Sequence, residues 1–215
     1  METFELLVLA TTQVGDNALV VHSLSERFGR RGFLVHPGKK AGMALFLPLN
    51  ILEAQVVENP KSALWGLRGI QSLDALQGIR GNLYKNSMSL FVSEVLFRTL
   101  RDGVYEEGLY TWCVGQILTL NALEADFSNF PVCFLLGLAG ALGFRPTWAD
   151  VAPFAQEYAA ALKPFLELPL EEALLLPLSG AVRNALCERL LQYLSFHCDQ
   201  AIQVKSLAVL RELFQ

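Results

Sequence analysis

The chain has 215 residues, of which 53% are hydrophobic and 18% charged, and its formal net charge is −4. This composition excludes an extensively disordered chain, since such chains have few apolar residues and a high net charge. The longest apolar stretches, such as residues 132–141, are far shorter than the ~20 residues of a membrane-spanning helix. The acidic N-terminal residues lack the basic region of a signal peptide, so we expect a cytoplasmic protein.

Charge is divided unevenly along the chain. Residues 1–101 carry 11 Lys and Arg against 8 Asp and Glu, whereas residues 102–215 carry 6 against 13. This asymmetry indicates two parts with different functions. The alternative is a chance fluctuation of small counts.

The first 80 residues predict a β-structure. Segments rich in Val, Leu and Phe alternate with turn residues, which indicates strands. The predicted strands cover residues 4–12, 18–25, 32–36, 45–57 and 64–73. Pro48 predicts an edge position or a bulge in the fourth strand. Five bent strands in so short a segment favour a small closed barrel, because closure removes exposed edges.

After the strands, the apolar residues follow helical spacing. The first predicted helix covers residues 85–101, with Met88, Phe91, Val92, Val95 and Leu96 on one face. Further helices are predicted over 106–123, 130–142, 182–194 and 205–213, and prolines divide 147–178 into short helical pieces. The change of period predicts two domains, residues 1–80 and 81–215.

The cysteines give no metal-binding pattern. Cys113, Cys133, Cys187 and Cys198 form no C-x-x-C pair and lie among apolar residues, which favours free buried thiols in a reducing compartment. His197 beside Cys198 is a weak indication of a metal ligand pair. We therefore predict no metal and no cofactor.

Catalytic motifs are also missing from the sequence. None of the patterns typical of phosphate-binding loops, zinc peptidases or serine hydrolases occurs among the 215 residues. We therefore predict a protein that is not an enzyme. A hydrolase with an unrecognised site is the alternative, and it predicts loss of activity when a single acid or histidine is changed.

A basic cluster stands out against the acidic composition. Its members are Arg27, Arg30, Arg31, Lys39 and Lys40, in a segment that reads as turns around a short strand. Neighbouring glycines allow the backbone to approach a phosphate, which Lys or Arg neutralises, so we predict that these five residues bind DNA. Phe28 and Phe33 could stack on bases, but strand alternation favours Phe33 in the core. The alternative for the cluster is an ordinary solvated turn.

Several stretches, taken in order, resemble the bacterial recombination mediator family RecO. They are residues 29–33, 38–40, 47–53, 85–96, 142–146 and 205–213. The resemblance implies an α+β protein, with an N-terminal OB-fold β-barrel followed by an all-α helical domain. It also implies binding and annealing of single- and double-stranded DNA, action with RecR and RecF, and loading of RecA onto DNA coated with single-strand-binding protein. Location at the nucleoid would follow.

The chain departs from the family pattern at one place. Many members carry a four-cysteine zinc site soon after the Gly-Phe-x-Pro stretch, but here residues 147–150 contain no cysteine. The chain therefore resembles the zinc-free, Bacteroidetes-like branch.

The resemblance further implies that the helical domain binds the acidic C-terminal tail of single-strand-binding protein. The candidate cations are Arg183, Arg189, Lys205 and Arg211. A protein-only scaffold, whose barrel binds a partner and not DNA, is the alternative function. The sequence pI of about 5.4 favours it, because DNA-binding domains are more often basic.

Overall fold

The computed structural model describes residues 2–37, 42–60, 62, 64–144 and 146–214. The chain forms two compact units. One contains residues 1–77 and 100–117, and the other contains residues 78–99 and 118–215. The domain limits predicted from the sequence, residues 1–80 and 81–215, stay a prediction.

The first unit contains a closed five-stranded barrel. Its strands are β1 (Thr3–Val14), β2 (Ala18–Ser25), β3 (Gly29–Val35), β4 (Ile51–Val57) and β5 (Trp65–Ser72), with a 3-10 helix at Met43–Phe46. The strand order around the barrel is β1-β2-β3-β5-β4, and β3 and β5 are parallel. A bulge between Val8 and Ala10 lets β1 bend, so that it pairs first with β4 and then with β2. This is the arrangement of an OB-fold, and it confirms the predicted fold class.

The barrel interior is filled by the inward-facing residues of all strands. Leu6, Val21, Phe33 and Leu52 are completely or almost completely buried there. Phe28 packs against this core from a partly buried position, with its ring centroid 5.1 Å from that of Phe4. The interpretation of Phe33 as a core residue is therefore confirmed.

The start of β3 has an unusual partner on the edge that faces away from β2. Strand β5 pairs with β3 only at Phe33 and Leu34. Residues 100–108, which we call the strap, occupy the edge before that point. The amide of Gly103 donates to the carbonyl of Arg30 at 2.8 Å, and the amide of Arg30 donates to the carbonyl of Val104 at 3.4 Å. The strap therefore extends the hydrogen bonding of β3 where β5 does not reach.

The side chain of Glu26 anchors the far end of the strap. Its Oε1 accepts hydrogen bonds from the Tyr105 hydroxyl at 3.0 Å and from the Gly108 amide at 3.2 Å. Beyond the strap, the Tyr110 hydroxyl donates to Glu5 at 3.1 Å on β1. These bonds join residues 100–117 to the barrel.

The structure corrects three sequence predictions. The third strand, predicted over residues 32–36, begins earlier, because Gly29, Arg30 and Arg31 already lie in β3. The first half of the predicted fourth strand is a 3-10 helix and a turn, in which Leu49 has a φ of 64°. The helix predicted from residue 106 begins at Leu109, because the strap occupies the preceding residues.

The second unit is helical. The helices of the described chain are α1 (Gln77–Arg80), α2 (Leu83–Thr99), α3 (Leu109–Ala122), α4 (Phe130–Ala141), α5 (Trp148–Ala155), α6 (Ala159–Glu167), α7 (Leu170–Leu174), α8 (Gly180–His197) and α9 (Ser206–Leu213). Within the unit, α2 packs against α9 and α4, and α8 packs against α4 and α5. In the part of the chain that the structure describes, no helix is both long and apolar enough to cross a bilayer.

Candidate nucleic-acid interface

An open cleft of about 440 Å³ lies on the first unit, beside the start of β3. It is lined by His22, Arg30, Arg31, Gly32, Leu64, Asp102 and Gly103. The cleft therefore brings together two of the five residues that the sequence predicts for DNA binding, and it places the strap along one side.

Arg30 is held in the cleft by the strap. Its Nη1 donates to the carbonyl of Leu100 at 3.1 Å. The side chain is partly buried, and this burial lowers the pKa of its guanidinium, while the Asp102 carboxylate acts in the opposite direction. An arginine remains charged under these conditions, because its unperturbed pKa is above ~12. The cleft therefore keeps a fixed positive charge.

Arg31 is positioned by an aromatic ring. Its Cζ lies 3.5 Å from the ring centroid of Trp65, at the start of β5. Its carbonyl accepts a hydrogen bond from the Ser23 hydroxyl at 3.2 Å. A guanidinium that stacks on an indole keeps its edge N–H groups available for an anion, because stacking uses only the face of the group.

The floor of the cleft consists of His22 and Gly32, which are paired residues of β2 and β3. A Cβ on Gly32 would come within 3.3 Å of Val20 and 3.4 Å of Leu64, so glycine keeps this floor low. Burial and the charge of Arg30 lower the pKa of His22, which the Asp102 carboxylate partly offsets. The neutral form of His22 is therefore favoured, and its Nε2 is hydrogen-bonded to the Thr12 hydroxyl at 3.1 Å.

Of the remaining predicted residues, the structure describes Arg27. Arg27 does not line the cleft: its Nη1 forms an ion pair with Glu2 at 3.1 Å, and its side chain is 50% exposed. Arg27 lies in the turn before β3, so it is available at the surface. Lys39 and Lys40 lie outside the described residues.

Two guanidinium groups in one cleft match the chemistry of a phosphate. Each offers several N–H donors in a planar fork, and such forks bind phosphate oxygens with two parallel hydrogen bonds. Asp102 reduces the positive charge but does not cancel it. Among the described residues that line the cleft, the two arginine forks fit a contact with the phosphates of the sugar–phosphate backbone.

Sequence reasoning missed four of the lining residues. His22 and Leu64 lie in or near strands and carry no motif, and Asp102 and Gly103 read as the end of a helix. The pairing of Gly103 with Arg30 joins residues far apart in sequence, and no local pattern indicates it.

The four cations predicted to bind a protein tail lie in the second unit. Arg183 is half-buried and donates to Asn129 Oδ1 at 3.0 Å and to the carbonyl of Leu178 at 3.0 Å. Arg189 lies 3.7 Å from Glu157, and Arg211 pairs with Glu188. Lys205 is exposed at the start of α9.

Of these four, Arg211 lines a cavity. The cavity has a volume of about 510 Å³ and lies between the start of α8 and α9. Its other lining residues are Ser179, Gly180, Ala181, Asn184, Ala185 and Glu188. The two arginines therefore have different surroundings: Arg183 is hydrogen-bonded inside the unit, whereas Arg211 borders an open cavity.

The cysteines are free thiols, of which Cys113 and Cys187 are buried. Burial raises the pKa of three of the four thiols, those of Cys113, Cys133 and Cys187. The pKa of Cys133 reaches about 12. Across the described residues, no three His, Cys, Asp or Glu side chains form a group that could hold a metal ion. The absence of a metal stays a prediction.

An OB-fold barrel with an arginine-lined cleft, followed in the chain by a helical unit, is typical of small proteins that bind nucleic acid. No protein-family profile matches the chain. The chain is nevertheless similar over nearly its full length to curated proteins named DNA repair protein RecO, which confirms the resemblance seen in the sequence.

Three of these relatives show the extent of the similarity. The proteins from Bacteroides fragilis and Phocaeicola vulgatus are each 26% identical to this chain, and the protein from Flavobacterium psychrophilum is 23% identical. In each case the match covers 97% of this chain and 97% of the relative. The similarity therefore includes both units.

Proposed function

We propose that this protein acts in DNA repair by binding the DNA backbone in the cleft of its barrel. The observation that carries the proposal is the pair Arg30 and Arg31 in one cleft of an OB-fold, in a chain similar end to end to proteins named for DNA repair. Arg27, which is exposed in the turn before β3, and the two lysines Lys39 and Lys40 are proposed to contact the same backbone. Binding of this kind is independent of base sequence.

The finer part of the proposal is the role of a recombination mediator. In this role the protein binds and anneals single- and double-stranded DNA and, together with RecR and RecF, helps RecA to replace single-strand-binding protein. It acts at the nucleoid, without covalent catalysis and without a cofactor. The support for this role is the similarity to RecO proteins over both units.

A salt series on a labelled single-stranded oligonucleotide tests DNA binding. If about four cations contact phosphates, the logarithm of the binding constant falls against the logarithm of salt with a slope of roughly −3, since each contact with a single strand contributes ~0.7. The double variant Arg30→Gln, Arg31→Gln is expected to reduce this slope by about 1.4 and to weaken all sequences alike.

Two further variants complete the test. Lys39→Glu with Lys40→Glu examines the part of the cluster outside the described residues. Lys163→Gln is the matched control, because Lys163 is an exposed cation of the helical unit that pairs only with Glu167 at 3.8 Å among the described ion pairs. An unchanged slope in folded Arg30→Gln, Arg31→Gln protein would place the DNA site elsewhere.

A protein-only scaffold remains the second candidate. The specific observation in its favour is the net charge of −4 on the whole chain. Failure of the wild-type protein to bind any oligonucleotide at ~50 mM salt would select this function, because backbone binding is strongest at low salt.

We also propose that the cavity beside Arg211 takes the acidic C-terminal tail of single-strand-binding protein. Such a tail needs a cation for its carboxylates and an apolar wall for its last residue. Arg211 supplies the cation, and Ala181 and Ala185 supply the wall. In a peptide titration, Arg211→Ala is expected to weaken binding and Lys163→Gln to leave it unchanged. Equal affinities would exclude this cavity.

A further inference from the structure

The strap carries a negative charge into the cleft that is proposed to hold DNA. Asp102 and Gly103 line the same open space as Arg30 and Arg31. Burial is the main cause of the lowered pKa of both Arg30 and His22, and the Asp102 carboxylate opposes this lowering at both groups. An anion therefore already acts on Arg30 when no DNA is present.

The backbone fixes Asp102 at this place. Leu100 accepts from the Arg30 side chain, and the residue after Asp102 donates to the Arg30 carbonyl. At its other end the strap is tied to Glu26 through Tyr105 and Gly108. Asp102 thus lies between two attachments of the strap to the barrel.

We propose that Asp102 is an intramolecular counter-ion of Arg30 that competes with a DNA phosphate and so sets the affinity of the cleft. This inference rests on the proposed DNA-binding function and adds a regulating residue to the same site. A mediator that hands a strand to another protein must release it, and a fixed carboxylate beside the phosphate site weakens binding without removing either arginine.

The Asp102→Asn variant tests this directly. The variant keeps the size of the side chain and removes its charge. We expect it to bind a single-stranded oligonucleotide about two- to fivefold more tightly at low salt, since an exposed pair of charges contributes up to ~1 kcal/mol. The gain is expected to disappear at high salt, since exposed charges are screened.

Three companion variants separate electrostatics from other effects. In an Arg30→Gln background, Asp102→Asn is expected to change the affinity by less than twofold, because the positive charge that Asp102 acts on has been removed. Glu58→Gln, an exposed acid of the first unit that does not line the cleft, is expected to change the affinity by less than twofold as well. Asp102→Ser repeats the charge change with a smaller side chain, and thermal melts report folding.

A second probe distinguishes failure of this inference from failure of the proposed function. Stabilisation by inorganic phosphate is measured as a shift of Tm in wild type, Asp102→Asn and Arg30→Gln. Suppose that no variant binds the oligonucleotide but that phosphate stabilises Asp102→Asn more than wild type. The proposed DNA-binding function is then wrong, whereas the role of Asp102 as a counter-ion is supported. Wild-type affinity for DNA in folded Asp102→Asn and Asp102→Ser protein would overturn the inference and leave the proposed function intact.

Discussion

The carbonyl group of Val104 occupies the space in which a Cβ on Gly29 would lie. Gly29 also has a φ of 59°, in the left-handed region that favours glycine. Two independent constraints therefore act on this residue, and both arise where the strap meets β3.

The Gly29→Ala variant is expected to destabilise the protein by about 2–4 kcal/mol. The left-handed conformation accounts for ~1 kcal/mol of this, and displacement of the strap accounts for the rest. Gly15→Ala is the matched control, because Gly15 has a φ of 64° with no atom within 4 Å of the added Cβ. Urea unfolding measures both. Equal losses in the two variants would mean that the strap adapts without cost.

Arg183 is expected to contribute to stability through Asn129. Asn129 is 1% exposed; its Nδ2 donates to the carbonyls of Ala173, Leu174 and Leu176, and its Oδ1 accepts from Arg183. Arg183→Ala leaves this buried oxygen without its donor, which costs ~1–3 kcal/mol. Arg189→Ala is the control, because an ion pair near the surface such as Arg189–Glu157, whose side chains are 24% and 60% exposed, contributes only ~0–1 kcal/mol. A loss within 0.5 kcal/mol for Arg183→Ala would contradict this role.

The attachment of α9 is expected to weaken in acid. Partial burial raises the pKa of Glu94, but hydrogen bonds from Ser206 and the charge of Arg98 outweigh this effect, and that pKa is lowered overall. Glu94 accepts from the Ser206 amide at 2.8 Å and from its hydroxyl at 2.7 Å. A carboxylate with a lowered folded-state pKa stabilises the fold above its unfolded pKa of ~4.3, and this stability is lost as pH falls through the folded-state pKa.

Hydrogen exchange of the α9 amides as a function of pH measures this loss. The wild-type protein is expected to lose protection in α9 below pH ~4.3, whereas Glu94→Gln is expected to have lower protection at pH 7 and a flatter dependence on pH. A parallel decline in both proteins would assign the acid sensitivity to other groups.

Protein purified without chelators is expected to contain far less than one zinc per chain. Zinc binds the thiolate form of cysteine, and burial holds the thiols of Cys133 and Cys187 in the protonated form at neutral pH. Elemental analysis gives the answer. Stoichiometric zinc that depends on Cys187, His197 and Cys198 would show the prediction to be wrong.

The sequence correctly predicted the limits of those elements whose ends are set by neighbouring turn and capping residues. β2 has the predicted limits, residues 18–25, because turns with suitable residues enclose an apolar run on both sides. α4 begins at Phe130, as predicted, and Pro131 lies in its first turn. In these elements the turn and capping residues lie next to the segment that they delimit.

The start of β3 was not predictable in the same way. Gly29 and the arginines after it have the composition of a turn, but they pair with residues 23–25 of β2, and residues 103 and 104 of the strap bond to the other edge at Arg30. Half of the cleft was missed for the same reason, since its residues are far apart in sequence. Arg30 and Arg31 could be identified as a basic pair, but Asp102 comes close to them only when the chain is folded. Lys85, which reads as a surface cation, is 4% exposed and donates to the carbonyl of Asn121 at 3.1 Å.

The strap also has a consequence for synthesis of the chain. A ribosome completes all five strands about thirty residues before it delivers the segment that covers the start of β3. During this interval the backbone groups of Arg30 lack the strap as their partner and can pair with another chain. Fragments that end near residue 80 keep this open edge permanently. We expect them to aggregate, and fragments that extend through residue 117 to remain dispersed.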